Sequence, residues 1–170
     1  EKKRKKILIT GGNGMVGKHL QEILPEKNTP TGKVLYVSSG EYDLRNWLEA
    51  NKLFKLYKPD RVIHLAAKVG GIQDNIAKPA EYFDDNMLIN INVLRMSKLY
   101  NVSRFTGILS TCVYPDKVKG LEFSYPMTEE DLFLGPPSST NFSYGYAKRC
   151  LAVQIDAYNK QYGTKYNYLT

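Results

Sequence analysis

Histidine and cysteine are scarce in this 170-residue chain, with two of each: His19, His64, Cys112 and Cys150. They form neither a CxxC pair nor a cluster with ligand spacing, so no metal site is expected. Long apolar runs are missing too. No stretch approaches the roughly 20 residues that span a bilayer, and the N-terminus lacks the apolar segment of a secretory signal. Both absences point to a cytoplasmic protein without a membrane partner. In that setting the N-glycosylation matches at Asn101-Val102-Ser103 and Asn141-Phe142-Ser143 carry no weight.

A basic surface suited to nucleic acid is also lacking. The net charge is +7, but EKKRKK at residues 1–6 holds five positive charges and one negative. No basic stripe with interleaved aromatics recurs downstream, so residues 1–6 read as a solvated tail and nucleic acid is not an expected partner. The remaining chain, from a sequence 42% hydrophobic and 24% charged, suits a single globular domain over residues 7–170.

Within it, short β-branched runs alternate with helical patterns, which predicts an α/β fold: a Rossmann-type, doubly wound parallel sheet with helices on both faces. Strands are expected at residues 6–10, 33–38, 61–66, 104–110 and 165–170, with a short extended piece at 42–44. Helices are expected from the glycine-rich turn to about Leu24, through Trp47, Ala50, Phe54 and Tyr57, at 80–100, and at 143–162 before Gly163. In the helix at 80–100, Phe83, Met87, Ile91 and Leu94 form the expected buried stripe. Residues 112–141 are rich in Pro, Gly and Ser without a period, and a loop of that length is usually functional.

The string TGGNGMVG places Gly11, Gly14 and Gly17 after an apolar strand and at the start of a helix, with Met15 and Val16 between them. A pyrophosphate there needs close backbone approach, and the exposed N–H groups of the helix start stabilise it. At the end of the second strand, where NAD enzymes carry an acidic residue, this chain has Ser38 and Ser39. That favours NADP(H), whose 2′-phosphate two hydroxyls can bind.

Tyr144 and Lys148 form a YxxxK pair on one helix face, and an ammonium beside the phenol is expected to lower its pKa. Ser110 closes the preceding strand, where a hydroxyl can hold a carbonyl oxygen. Cys112 follows, and by its own chemistry reads as a small packing residue.

HLAAKVGGI at residues 64–72, LSTCVYPD at 109–116 and GPPSSTNFSYGYAKR at 135–149 resemble the extended short-chain dehydrogenases, most closely the GDP-L-fucose synthase family, over nearly all of residues 7–170. The resemblance implies an enzyme that takes a GDP-sugar, GDP-4-keto-6-deoxymannose, epimerises it at C3 and C5, and reduces the C4 ketone with NADPH. It makes Ser110, Cys112, Tyr144 and Lys148 the catalytic set, with Cys112 raised to a proton-transfer group. The cofactor is expected along the glycine turn and Ser38-Ser39, then Asp43 and Leu44, then Leu65, Ala66 and Ala67, reaching Tyr144 and Lys148. The resemblance also implies a homodimer through the helices at 80–100 and 143–162, in which Leu88, Leu99, Leu151 and Ile155 extend the apolar surface, and a substrate domain with a partner histidine beyond Thr170. The competing readings are an NAD-dependent 4-epimerase or 4,6-dehydratase, and a non-catalytic nucleotide-binding module.

Overall fold

Five strands lie side by side, all parallel, in the order β2-β1-β3-β4-β5. The computed structural model describes residues 5–25, 32–116 and 127–170. The strands are β1 (Lys5–Thr10), β2 (Gly32–Val37), β3 (Arg61–His64), β4 (Arg104–Ile108) and β5 (Tyr166–Leu169). Between them run α1 (Met15–Ile23), α2 (Trp47–Tyr57), α3 (Ile72–Ala77), α4 (Pro79–Leu99) and α5 (Phe142–Tyr162). From β1 the chain moves outward to β2, then returns to β3 on the other side of β1. The sheet therefore has its switch point between β1 and β3, and ligands of open α/β sheets bind at the carboxyl ends of strands there.

Alternation along the strands decides which helices cover which face. Leu8, Val62 and Phe105 point one way and are closed by Leu53 and Phe54 of α2, Leu94 and Met96 of α4, and Leu151 and Ile155 of α5. Ile7, Ile9, Val34 and Tyr36 point the other way and pack against Leu20 of α1. Full burial of a side chain such as Leu8 or Phe54 contributes about 1.5–3 kcal/mol. The expected doubly wound arrangement is thus present.

Several local expectations need correction. Lys5 and Lys6 begin β1, and Lys6 is tied by its backbone N–H to Asp60 and by its Nζ to the Tyr57 carbonyl, so the solvated tail does not extend to residue 6; residues 1–4 lie outside the described residues. Residues 42–44 are not a strand: Tyr42 and Asp43 join a turn closed on the Ser38 carbonyl to a second turn, from Asp43 to Asn46, that leads into α2. β3 and β4 stop two residues early, which frees residues 65–67 and 109–110 to line the sheet edge. α3 was not expected. Of the loop at 112–141, residues 117–126 are outside the described residues. The rest carries 3-10 turns at Thr111–Val113, Glu129–Phe133 and Ser139–Asn141, with Pro115 bridged to Pro137.

The buried face of α4 is not the expected stripe. Tyr82, Asn86, Asn90, Val93 and Ser97 face inward, whereas Phe83, Met87 and Ile91 are half-buried. Three asparagines are tolerated because their amides satisfy backbone groups that would otherwise be buried unpaired. Asn86 bonds the Lys68 N–H and carbonyl, Asn90 the Ala147 carbonyl, and Asn92 the carbonyls of Leu44 and Arg45.

Candidate active site

A cavity of about 900 Å³ opens at the switch point and runs from the glycine turn to α5. Its wall includes every residue expected to meet a cofactor: Gly11, Gly14, Met15, Val16 and Gly17 on the turn, Ser38 and Ser39 after β2, Asp43 and Leu44 before α2. Leu65, Ala66 and Ala67 after β3, and Tyr144 and Lys148 on α5, complete that wall. The turn is shaped for backbone contact. Gly11 has φ +73°, and a Cβ there would meet the Ala66 backbone at 2.7 Å. At Gly17 a Cβ would strike the carbonyl oxygens of Gly11 and Gly12. Glycine is required at both positions, and the result is a cradle into which a phosphate chain fits.

A buried polar chain fixes the cavity's inner wall. Thr10 Oγ1 lies 2.8 Å from His64 Nδ1 and accepts the Ala66 N–H, while His64 Nε2 lies 3.1 Å from Asn90 Oδ1. Asn90 in turn donates to the Ala147 carbonyl, next to Lys148. Because Asn90 Oδ1 can only accept, the Nε2–H tautomer follows from the partners. Burial, with the Lys148 charge second, pushes His64 down to about 3, so it stays neutral. It holds β1, β3, α4 and α5 together and has no direct place in chemistry.

Lys148 is buried, and its Nζ donates to the Ile108 carbonyl at 2.8 Å. Burial lowers it to about 8. The ammonium stands over the Tyr144 ring, 5.8 Å from its centre, and is not among the groups that shift the phenol. Tyr144 is accordingly raised above the ordinary tyrosine value, by burial first and the Cys112 charge second, with the Ser110 hydrogen bond opposing. This reverses the expected lowering: the lysine's positive charge is spent on a carbonyl, and desolvation of the phenolate wins.

Ser110 and Cys112 lie next to this wall. Ser110 hydrogen-bonds Tyr144 and caps the turn that carries Cys112 by accepting the Cys112 N–H at 3.2 Å. That turn is pinned twice, to α5 and to the residue before it. Arg149 Nε donates to the Val113 carbonyl at 2.6 Å, and Asn141 Nδ2 donates to Cys112 Sγ at 2.8 Å. Gly145 permits the approach, since a Cβ there would meet the Cys112 carbonyl at 2.6 Å. Cys112 and Cys150 are both free thiols.

Three residues escaped the sequence reading. Asn141 stands in the sequence as a glycosylation match and as one letter of the 135–149 string, with no role of its own. Arg45 lines the cavity, paired with Asp43 at 2.8 Å and Asp85 at 3.2 Å. Glu41 folds back so that its carboxylate accepts from both the N–H and the hydroxyl of Ser38. The S-x-x-E spacing at residues 38–41 is the signal that would have found it. No helix among the described residues is long and apolar enough to cross a membrane.

The family model described as NAD dependent epimerase/dehydratase family matches residues 7–170. The chain is 38% identical over 163 residues to GDP-L-fucose synthase of Dictyostelium discoideum, covering 96% of this chain and 49% of that protein. It is 40% identical over 162 residues to the probable GDP-L-fucose synthase of Drosophila melanogaster, covering 95% and 49%. A crystal structure of a GDP-L-fucose synthetase from Naegleria fowleri bound to NADP superposes with a TM-score of 0.83 at 36% identity, covering 96% of this chain and 51% of that one. The chain spans about half the length of the curated relatives it matches.

Proposed function

The chain belongs to the NAD dependent epimerase/dehydratase family, and from that premise we propose that it works in the NADPH-dependent conversion of GDP-4-keto-6-deoxy-D-mannose to GDP-L-fucose. The observation that carries this reading is the single cavity that brings the glycine cradle, the end of β2 and the Tyr144-Lys148 pair together, with Ser110 bonded to Tyr144. The relatives' names supply the product, GDP-L-fucose, the family resemblance implies the keto-sugar substrate, and residues 7–170 form the NADP-binding domain.

Bound NADPH supplies hydride to the sugar's C4. The chain's own residues do the rest. Ser110 and Tyr144 hold the C4 ketone oxygen, and Tyr144, kept neutral by burial, donates its proton to that oxygen as the ketone is reduced. Lys148 anchors the helix wall at the Ile108 carbonyl and would hold the ribose of a bound nicotinamide. For the epimerisations, removing a proton from C3 or C5 leaves the charge on the same C4 oxygen, where the two hydroxyls stabilise it. Cys112 serves one face of the sugar in that proton exchange, and inversion needs a second acid-base group on the opposite face, the role the family resemblance gives to a histidine beyond Thr170.

The enzyme acts in the cytoplasm as a homodimer through α4 and α5. Leu88, Leu99 and Val153 are exposed on those helices and Met87 and Ile91 half-buried, which supports a contact face. Leu151 and Ile155, expected to extend it, are fully buried in the core instead. Sedimentation of the full-length protein should give a dimer; monomer alone at high concentration removes that part of the reading.

Calorimetric titration with NADPH and NADH, together with conversion of the keto-sugar by the full-length protein, tests the whole. Tighter NADPH binding and GDP-L-fucose as product are expected. Tighter NADH binding, or return of a 4-epimer without net reduction, would assign the chain to the NAD-using epimerases instead.

A further inference from the structure

Two hydrogen bonds converge on one oxygen at the outer end of β2. The Ser38 N–H and the Ser38 hydroxyl each donate to Glu41 Oε2 at 2.9 Å. A backbone N–H and a hydroxyl aimed at one point make a seat for an anionic oxygen, and Ser38 and Ser39 stand on the cavity wall. In this chain the anion in the seat comes from three residues further along. Burial does not force it there, since Glu41 is exposed. Crowding does not either, since a Cβ at Gly40 would meet open space. Among the described residues no basic side chain forms an ion pair with Glu41, and the cation on this part of the wall, Arg45, is already shared by Asp43 and Asp85.

On the reading that the cavity holds NADP(H), we propose that Glu41 discriminates between the cofactor's 2′-phosphate and 2′-hydroxyl, because its carboxylate occupies the two Ser38 donors and a 2′-phosphate reaches them only by displacing it. A phosphate meets a like charge at the seat and must send the carboxylate into water. A 2′-hydroxyl meets a hydrogen-bond acceptor. Glu41 therefore narrows the preference for the phosphorylated cofactor. The exposed position sets the scale: like-charge contacts of this kind shift affinity by about threefold to tenfold.

The test uses the full-length protein and needs no turnover. Calorimetry with 2′,5′-ADP and 5′-ADP, and with NADPH and NADH, is run on wild type, Glu41→Ala and Glu41→Gln. Removing the carboxylate should raise the affinity ratio of phosphorylated to unphosphorylated ligand about fivefold, by tightening the phosphorylated member. Glu41→Gln, which keeps side-chain length and loses only charge, should shift in the same direction, and less so at about 0.5 M salt, where screening is short-ranged. A ratio that stays at its wild-type value or falls in Glu41→Ala overturns the proposal. The cofactor reading fails by a different result, tighter binding of NADH than NADPH by wild type, and the shift between variants is read whichever cofactor binds better.

Discussion

The side-chain amide of Asn141 donates to the sulfur of Cys112 across 2.8 Å. Asn141 immediately precedes α5 and Cys112 lies in the turn after β4, so this contact links the helix that carries Tyr144 to the thiol proposed for proton transfer. Removing the thiol should therefore separate the two halves of the reaction. In the full-length enzyme, Cys112→Ala is expected to slow deuterium exchange into the keto-sugar by about a hundredfold to ten-thousandfold, the usual loss for a positioned acid-base group. Reduction of a substrate already in the fucose configuration should change far less. Asn141→Ala should give a smaller loss in the same exchange assay. Wild-type exchange at both carbons in Cys112→Ala would return the cysteine to packing.

The glycine turn offers a second, purely steric test. A methyl group at Gly17 would strike the carbonyls of Gly11 and Gly12, and neither can retreat without opening the cradle. Gly17→Ala should lower stability by about 1–3 kcal/mol and weaken NADPH binding at least tenfold. Gly40→Ala, with open space around it, is the control and should stay within about 0.5 kcal/mol of wild type. Urea unfolding and calorimetry measure both effects. A Gly17→Ala protein that unfolds and binds like wild type would show that the turn has room to spare.

Strand periodicity and the glycine spacing made the sheet, its glycine turn and the YxxxK pair legible, because these depend on local pattern. What was not legible depends on what each polar group meets after folding. The apolar stripe Phe83-Met87-Ile91 looked like the buried face of α4, yet Asn86 and Asn90 face the core because the backbone groups of Lys68 and Ala147 need partners there. Leu151 and Ile155 looked surplus on α5 and are core, since β4 and β5 bring the sheet over them. The pKa of Tyr144 is hidden from the sequence for the same reason: i,i+4 spacing places Lys148 near the ring, but it does not reveal that the Ile108 carbonyl claims the ammonium. Only the family resemblance, not the local pattern, drew attention to Cys112.

That buried ammonium has a measurable cost. Desolvation holds Lys148 at about 8 against an ordinary 10.5, so between those values the unfolded chain binds more protons than the native one, and stability rises with pH. The contribution is fully present above 10.5 and is lost as the pH falls through 8; the whole gap corresponds to about 3 kcal/mol. Other groups titrate in this range, so the comparison must be with Lys148→Met, which removes this titration alone. The variant also leaves the Ile108 carbonyl without its donor, a loss of about 1–3 kcal/mol that does not vary with pH. Absolute stabilities are therefore uninformative, and the difference between the two proteins is the signal. Measured by urea unfolding without cofactor, wild type should gain about 2 kcal/mol relative to Lys148→Met between about pH 7 and pH 9.5. A difference that stays flat across that interval would mean that Lys148 titrates at its ordinary value and that burial does not tune it.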